Sequence, residues 1–303
     1  MNDNLSQRYR RLSTPERIIA LTVTIFALTQ CYQLLRVLCC VTGYEWWLYL
    51  ALPANIHDVL LKPWTLLTYM FVHTDLANNP FHLLLNMLVL YWFGKFYMRY
   101  HTGRQFLSLY LTGGLFAGIF FLLIYNIFPY FVYELNFTRL VGASGALFAL
   151  MVAIALERPD EGVELRFLMW RRVIRMKWIV AAAVAWSMLS IAAGHTAGNI
   201  CHLGGALWGL CYGVAARRGI LLTATFDRCC DFVAQLFKPR RKMKVERGGA
   251  RYWHGDVQKD MDYNRERRAR EAQIDAILDK MRKSGYDGLT EEEKRTLFTA
   301  GKK

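Results

Sequence analysis

The 303-residue chain has no CxxC pair matched by a second at zinc spacing, and its seven cysteines are odd in number. A zinc ribbon and a complete disulfide framework are both set aside, and Cys31, Cys39, Cys40, Cys201, Cys211, Cys229 and Cys230 read as small hydrophobes, most of them inside apolar runs. No small-residue cleavage site follows the first apolar run after "MNDNLSQRYRRLSTPERI". That run is expected to stay as a helix, with Thr14 as its cap and Pro15 at the first helical position. "YDGLTEEE" lacks the aspartates that a calcium loop needs before its glycine. The basic run "KPRRKMKVERGGAR" has no aromatic interleaving or reader motif beside it, which sets nucleic acid aside as a partner. No metal and no cofactor are expected.

What the chain has is apolar length. Hydrophobic residues make up 54% and aromatics 14%, a composition that favours a membrane bundle over a soluble domain. The net charge of +14 comes from basic residues at the N-terminus, in short connections and in the C-terminal tail. Runs long enough, or nearly so, to span a bilayer occur at about 18–41, 81–98, 105–128, 140–156, 177–193 and 199–216. With six crossings, Arg8, Arg10, Arg11 and Arg17, then Lys95, Arg99 and Arg104, then Arg166, Arg171, Arg172, Arg175 and Lys177 fall on one side. The expectation is an all-α, polytopic six-helix bundle in the cell membrane, with both termini cytoplasmic. The long first outer loop is rich in Trp, Tyr and Leu and suits the headgroup layer.

On this topology the second, fourth and sixth helices descend in the same direction. Ser144, in "VGASGALF", lies about one turn below the outer surface, roughly 6 Å. His202, in "CHLGGALWG", lies at a similar depth, as do His82 and Asn86, four residues apart in "FHLLLNM". Each has a plain alternative: Ser144 and Asn86 as helix-packing residues, His202 as an interior histidine. Polar groups in a membrane are costly, and their shared depth, with a serine and a histidine able to pair as nucleophile and base, favours a site. Gly142 and Gly145 flank Ser144 on the fourth helix, while Gly205 and Gly209 share the face of His202. Those small residues allow close helix approach, near enough for a Ser144–His202 hydrogen bond, and Phe148 is spaced to pack on the imidazole. No Asp or Glu lies at this depth, so a dyad is expected rather than a triad.

"GASG", "CHLGGALWG", "HLLLN" and six crossings with both ends inside resemble the rhomboid family of intramembrane serine proteases, over residues 18–216. The resemblance implies a helical bundle whose water-filled active site opens to the outside and which cleaves transmembrane protein substrates. By resemblance Ser144 is the nucleophile, His202 the general base, Asn86 and His82 oxyanion-stabilising groups, and Phe148 the aromatic stacked on the histidine. Access between the second and fifth helices is also implied, with Trp178 and Trp186 as mobile parts of the fifth. His195 and Asn199 sit in the loop before the sixth helix, His195 reading as a solvated residue. Many members carry a Trp-Arg pair in the first outer loop. Here Trp64 is followed by Thr65, the segment 73–82 is longer than usual, and Cys201 replaces a common alanine.

Four segments are expected: 1–17, a cytoplasmic N-terminal segment; 18–219, the protease domain; 220–254, an amphipathic and basic linker; and 255–303, a cytoplasmic helical hairpin. In the linker, "TATFDRCCDFVAQLF" suits the inner membrane surface and the basic run suits anionic lipids. In the tail, Ile274, Ile277, Leu278 and Met281 recur at helical spacing, and Thr290 with Glu293 forms a capping box. A cytoplasmic partner of the tail is a further expectation. The rival function is a catalytically idle rhomboid-like protein that binds membrane clients, although idle relatives commonly lack the serine or histidine that stand here. A transporter would carry polar residues along the whole depth, and a soluble hydrolase would need a strand, nucleophile elbow and helix around Ser144.

Overall fold

In the computed structural model, which describes residues 9, 11–40, 45–73, 79–165, 172–237 and 256–300, the apolar runs form helices. They are α1 (Thr14–Leu38), α2 (Pro80–Tyr97), α3 (Gly103–Ile127), α4 (Ser144–Glu157), α5 (Met176–Ala192) and α6 (Ala197–Arg217). The amphipathic α7 (Ala224–Phe237) follows, then α8 (Asp256–Ser284) and α9 (Glu291–Ala300). The chain divides into two compact units, residues 1–238 and 239–303. The basic run after Phe237, the N-terminal Arg8 and Arg10, Arg166 and Arg171, and part of the segment 73–82 lie outside the described residues.

Helix starts follow local chemistry. The cap of α1 is Ser13, one residue before the expected Thr14, because Glu16 stands three residues on and accepts from the Ser13 backbone N–H and hydroxyl, both at 2.8 Å. Thr102 and Gln105 make the same reciprocal cap on α3. The fold is mostly helical but not purely so. Leu52–Pro53 pairs antiparallel with Arg139–Leu140, and Gly162–Leu165 pairs with Arg172–Arg175. The first ribbon ties the outer loop to the chain just before α4.

Two helices, α1 and α3, are long and apolar enough to cross a membrane by length and composition; α4 and α5 are apolar but shorter. With 14 residues, α4 is about 21 Å long against a hydrocarbon core of about 30 Å. Helix length and composition alone therefore support two of the six crossings expected from the sequence. Polar residues interrupt the others: His82, Asn86 and Lys95 in α2, and Asn199, His202 and Arg217 in α6.

The core of the first unit is α4 wrapped by α3, α5 and α6. Ala146, Ala149, Leu150 and Ala153 are fully buried. The helix axes come close because glycines remove side chains at the crossings. A Cβ on Gly205 would lie 2.0 Å from the Gly145 carbonyl oxygen, and one on Gly209 would lie 2.4 Å from that of Ala149. At the end remote from Ser144, polar contacts link the helices: Tyr97 and Tyr212 hydroxyls at 3.1 Å, and His101 Nε2 with Glu157 Oε2 at 2.7 Å. Ser108 Oγ donates to Asp227, and Arg104 pairs with Asp231 at 2.6 Å, holding the polar face of α7.

In the second unit, α8 and α9 form a hairpin. Ile277 and Leu289 are buried, Ile274 and Met281 are half-buried, and Leu278 is exposed. Gly285 turns the chain at φ +75°, where a side chain would be strained. Lys280 Nζ donates to both oxygens of Glu293 at 2.9 Å, and Thr290 N–H donates to Glu293 at 2.8 Å. The Lys280 hydrogen bond, then the Thr290 N–H, holds the Glu293 carboxyl below its ordinary range.

Two outcomes follow. Gly205→Ala has no room for its methyl and should lower stability by about 1–3 kcal/mol or more. Gly198→Ala, where a Cβ meets nothing within 4 Å, should be near neutral. Thermal unfolding in detergent compares them, and equal midpoints would contradict the tight crossing. In the tail, a depressed carboxyl contributes stability that is present above its unfolded pKa and is lost as pH falls through its native one. Exchange of α9 amides in the intact chain, corrected for intrinsic rates, should therefore accelerate between about pH 5 and about pH 3. Glu293→Gln should exchange faster already at neutral pH and show less further change.

Candidate active site

The segment before α4 sets the site. After Arg139–Leu140 pairs with Leu52–Pro53, Gly142 donates its N–H to the Tyr69 carbonyl at 2.9 Å and adopts φ +116°. Tyr69 is itself fixed, with its hydroxyl donating to the Gly114 carbonyl at 2.7 Å. Gly142 thus precedes α4 instead of lying on it, and Ser144 is the first residue of the helix. The expected picture, with a full turn of helix above the serine, is corrected: an irregular chain descends to Ser144. The reason is the positive φ, which glycine tolerates and which no helix can include.

Gly142 also makes room for His82. A Cβ there would lie 2.8 Å from His82 Nε2 and 4.0 Å from Ser144 Oγ, so the histidine and the serine meet over one bare α-carbon. His82 and Asn86 stand one turn apart on α2, and Asn86 Nδ2 donates to the His82 carbonyl at 2.8 Å. Asn86 is 7% exposed.

On α6, His202 stacks against Phe148 of α4, with ring centroids 4.4 Å apart and planes 8° apart. Gly145 sits under Cys201, where a Cβ would come within 2.6 Å of the sulfur. A cavity of about 530 Å³ collects these groups, lined among others by His82, Asn86, Ser144, Phe148, Met151 and His202. Asn199 also lines it; the residue lies in the first turn of α6, not in the preceding loop, and donates to the His195 carbonyl at 2.7 Å.

Ser144 and His202 face this cavity together, but among the described residues no hydrogen bond joins them. Catalytic hydrogen bonds are often long before substrate binds and tighten in the reacting complex. His202 is instead engaged on its other nitrogen, Nδ1, which lies 3.1 Å from Ser187 Oγ on α5.

Two residues of the site escape sequence reading. His73 is 3% exposed, its ring centroid lies 5.1 Å from that of His82, and among the described residues neither of its ring nitrogens has a hydrogen-bond partner. Burial pushes its pKa down to about 3, so it stands neutral behind His82. Its one sequence signal is its place at the start of the segment "HTDLANNPFH". Ser187 is the other, one of two serines, with Ser190, in an apolar run and with nothing local to mark it.

Helix starts carry free N–H groups and a partial positive charge. Ser144 at the head of α4, sharing its cavity with Asn86 and His82, is therefore placed where developing negative charge would be stabilised. Residues 61–219 match the family model described as Rhomboid domain. Residues 258–302 match a family of unknown function, DUF6576. No curated protein matches the chain.

Proposed function

Because the chain belongs to the rhomboid family, we propose that it is an active intramembrane serine endopeptidase working through Ser144 and His202. The observation that carries this reading is the single cavity lined by Ser144, His202, His82 and Asn86, with Ser144 opening a helix. Nucleophile, base and anion-stabilising donors converge there.

In the proposed reaction His202 takes the Ser144 hydroxyl proton as Oγ attacks a peptide carbonyl carbon. The carbonyl oxygen becomes an oxyanion held by Asn86, His82 and backbone N–H groups at the start of α4. His202 then gives its proton to the leaving amine. Water, deprotonated by the same histidine, adds to the acyl-enzyme carbon, and its collapse breaks the ester bond and returns the proton to Ser144. Phe148 holds the imidazole plane through both steps.

The proposal includes six crossings in the cell membrane with both termini cytoplasmic. The basic residues favour that side, and helices too short for the bilayer are accommodated by tilt or local thinning. Substrates are membrane proteins reaching the cavity between α2 and α5, and α7 meets lipid through its apolar face. For the tail we propose a cytoplasmic partner. A substrate helix must unwind before its carbonyl can be attacked, which favours Gly, Pro and other helix-weakening residues near the cut.

Purified protein in detergent should react with a fluorophosphonate probe, lose labelling in Ser144→Ala and lose most of it in His202→Ala. Asn86→Ala should react about 10²–10³-fold more slowly, the effect of removing one oxyanion donor. Absence of labelling in folded wild type, beside an active relative that labels, would shift the reading to an idle client-binding protein. Once a substrate is found, replacing its Gly or Pro near the cleavage point with Leu should slow cutting. Unchanged rates would remove the unwinding requirement.

A further inference from the structure

The face of α5 turned to the protein carries Met176, Val180, Ala183, Ser187 and Ile191 at spacings of three and four residues. Every member of that stripe is apolar except Ser187, which is 1% exposed while its neighbours Trp186, Met188 and Leu189 are all exposed. A buried hydroxyl must find a partner or lose stability. Ser187 finds it in His202 Nδ1 at 3.1 Å.

We propose that Ser187 is a positioning residue for His202, its hydroxyl accepting the Nδ1–H hydrogen bond and so keeping Nε2 bare as the proton acceptor for Ser144. This inference rests on the protease reading above and extends it. The stacked Phe148 fixes the plane of the imidazole but leaves the ring able to turn within that plane. A directional bond at Nδ1 removes this remaining freedom. It also selects the tautomer, since a proton on Nδ1 leaves the lone pair on Nε2, whereas a proton on Nε2 would make the ring useless as a base. In a helix the serine hydroxyl can donate to the carbonyl one turn back while its lone pair accepts from the histidine.

The part that a buried carboxylate plays in other serine hydrolases thus falls to a neutral hydroxyl. Within a membrane a neutral group avoids the large desolvation penalty of an ionised one. Because the hydroxyl is carried on α5, beside the proposed path of the substrate, orientation of the base depends on α5 being seated against α6.

A purely packing role for a small residue would be served equally by alanine, so Ser187→Ala separates the two explanations. The intact protein is labelled with ¹⁵N-histidine, and the His202 signals are identified by their loss in His202→Ala. Wild type should show Nδ1 protonated and Nε2 bare. Ser187→Ala should show a mixture of tautomers and react with the fluorophosphonate up to about ten-fold more slowly, the worth of one neutral hydrogen bond. Ser187→Thr, which keeps the hydroxyl, should recover most of the rate and the wild-type nitrogen pattern. Wild-type behaviour of Ser187→Ala in either the rate or the tautomer measurement would overturn the proposal. If wild type itself does not label, the protease reading fails, and this role fails with it; a labelled wild type matched by Ser187→Ala removes the positioning role alone.

Discussion

The contact of α4 with α6 is made between backbones. Gly205 and Gly209 place bare α-carbons against the carbonyls of Gly145 and Ala149, at a separation that excludes even a methyl group. Lipid tails are as apolar as leucine, so the hydrophobic effect does little to drive helices together within a bilayer, and close packing takes over. The same approach brings Phe148 and His202 into a stacked pair and sets the floor of the cavity. Loosening that crossing would separate the two helices that carry the serine and the histidine.

A second constraint acts on the chain before α4. Pairing of Arg139–Leu140 with the outer loop, the Tyr69 carbonyl and the positive φ of Gly142 together deliver Ser144 to the very start of a short helix. An irregular segment at this depth leaves backbone polar groups to satisfy, and it is tolerated where it lines a cavity instead of facing lipid. In the proposed reaction the N–H groups at the start of α4, a burden to an ordinary membrane helix, would serve as donors to the oxyanion. On that reading function and fold share one irregularity.

Groups without a fixed charge make up most of the site. Asn86 and the hydroxyls of Ser144 and Ser187 avoid the cost of burying an unpaired ion. One guanidinium, that of Arg139, also lines the cavity and is paired with Asp58 at 3.3 Å, while the His101–Glu157 and Arg104–Asp231 contacts hold the helix ends remote from Ser144 and α7. The tail hairpin is a separate unit with its own small core and its own capped helix.

Local pattern made much of this legible. Apolar length marked the helices, Thr290 and Glu293 marked a helix start, and small residues beside Ser144 and His202 marked a close crossing. A cap displaced by one residue shows the limit of that reading, since Ser13 and Thr14 are chemically alike and the partner Glu16 chooses between them. Ser144, His202, His82 and Asn86, which line one cavity, could be named from the sequence alone, but counting along a helix put a turn above Ser144 that the structure does not have. Tertiary structure decided which groups touch: Ser187 with His202, His73 behind His82, and Gly142 as a turn outside α4. Those contacts depend on how each helix is rotated about its axis and how near its neighbour lies, and neither is encoded in the period of any one segment.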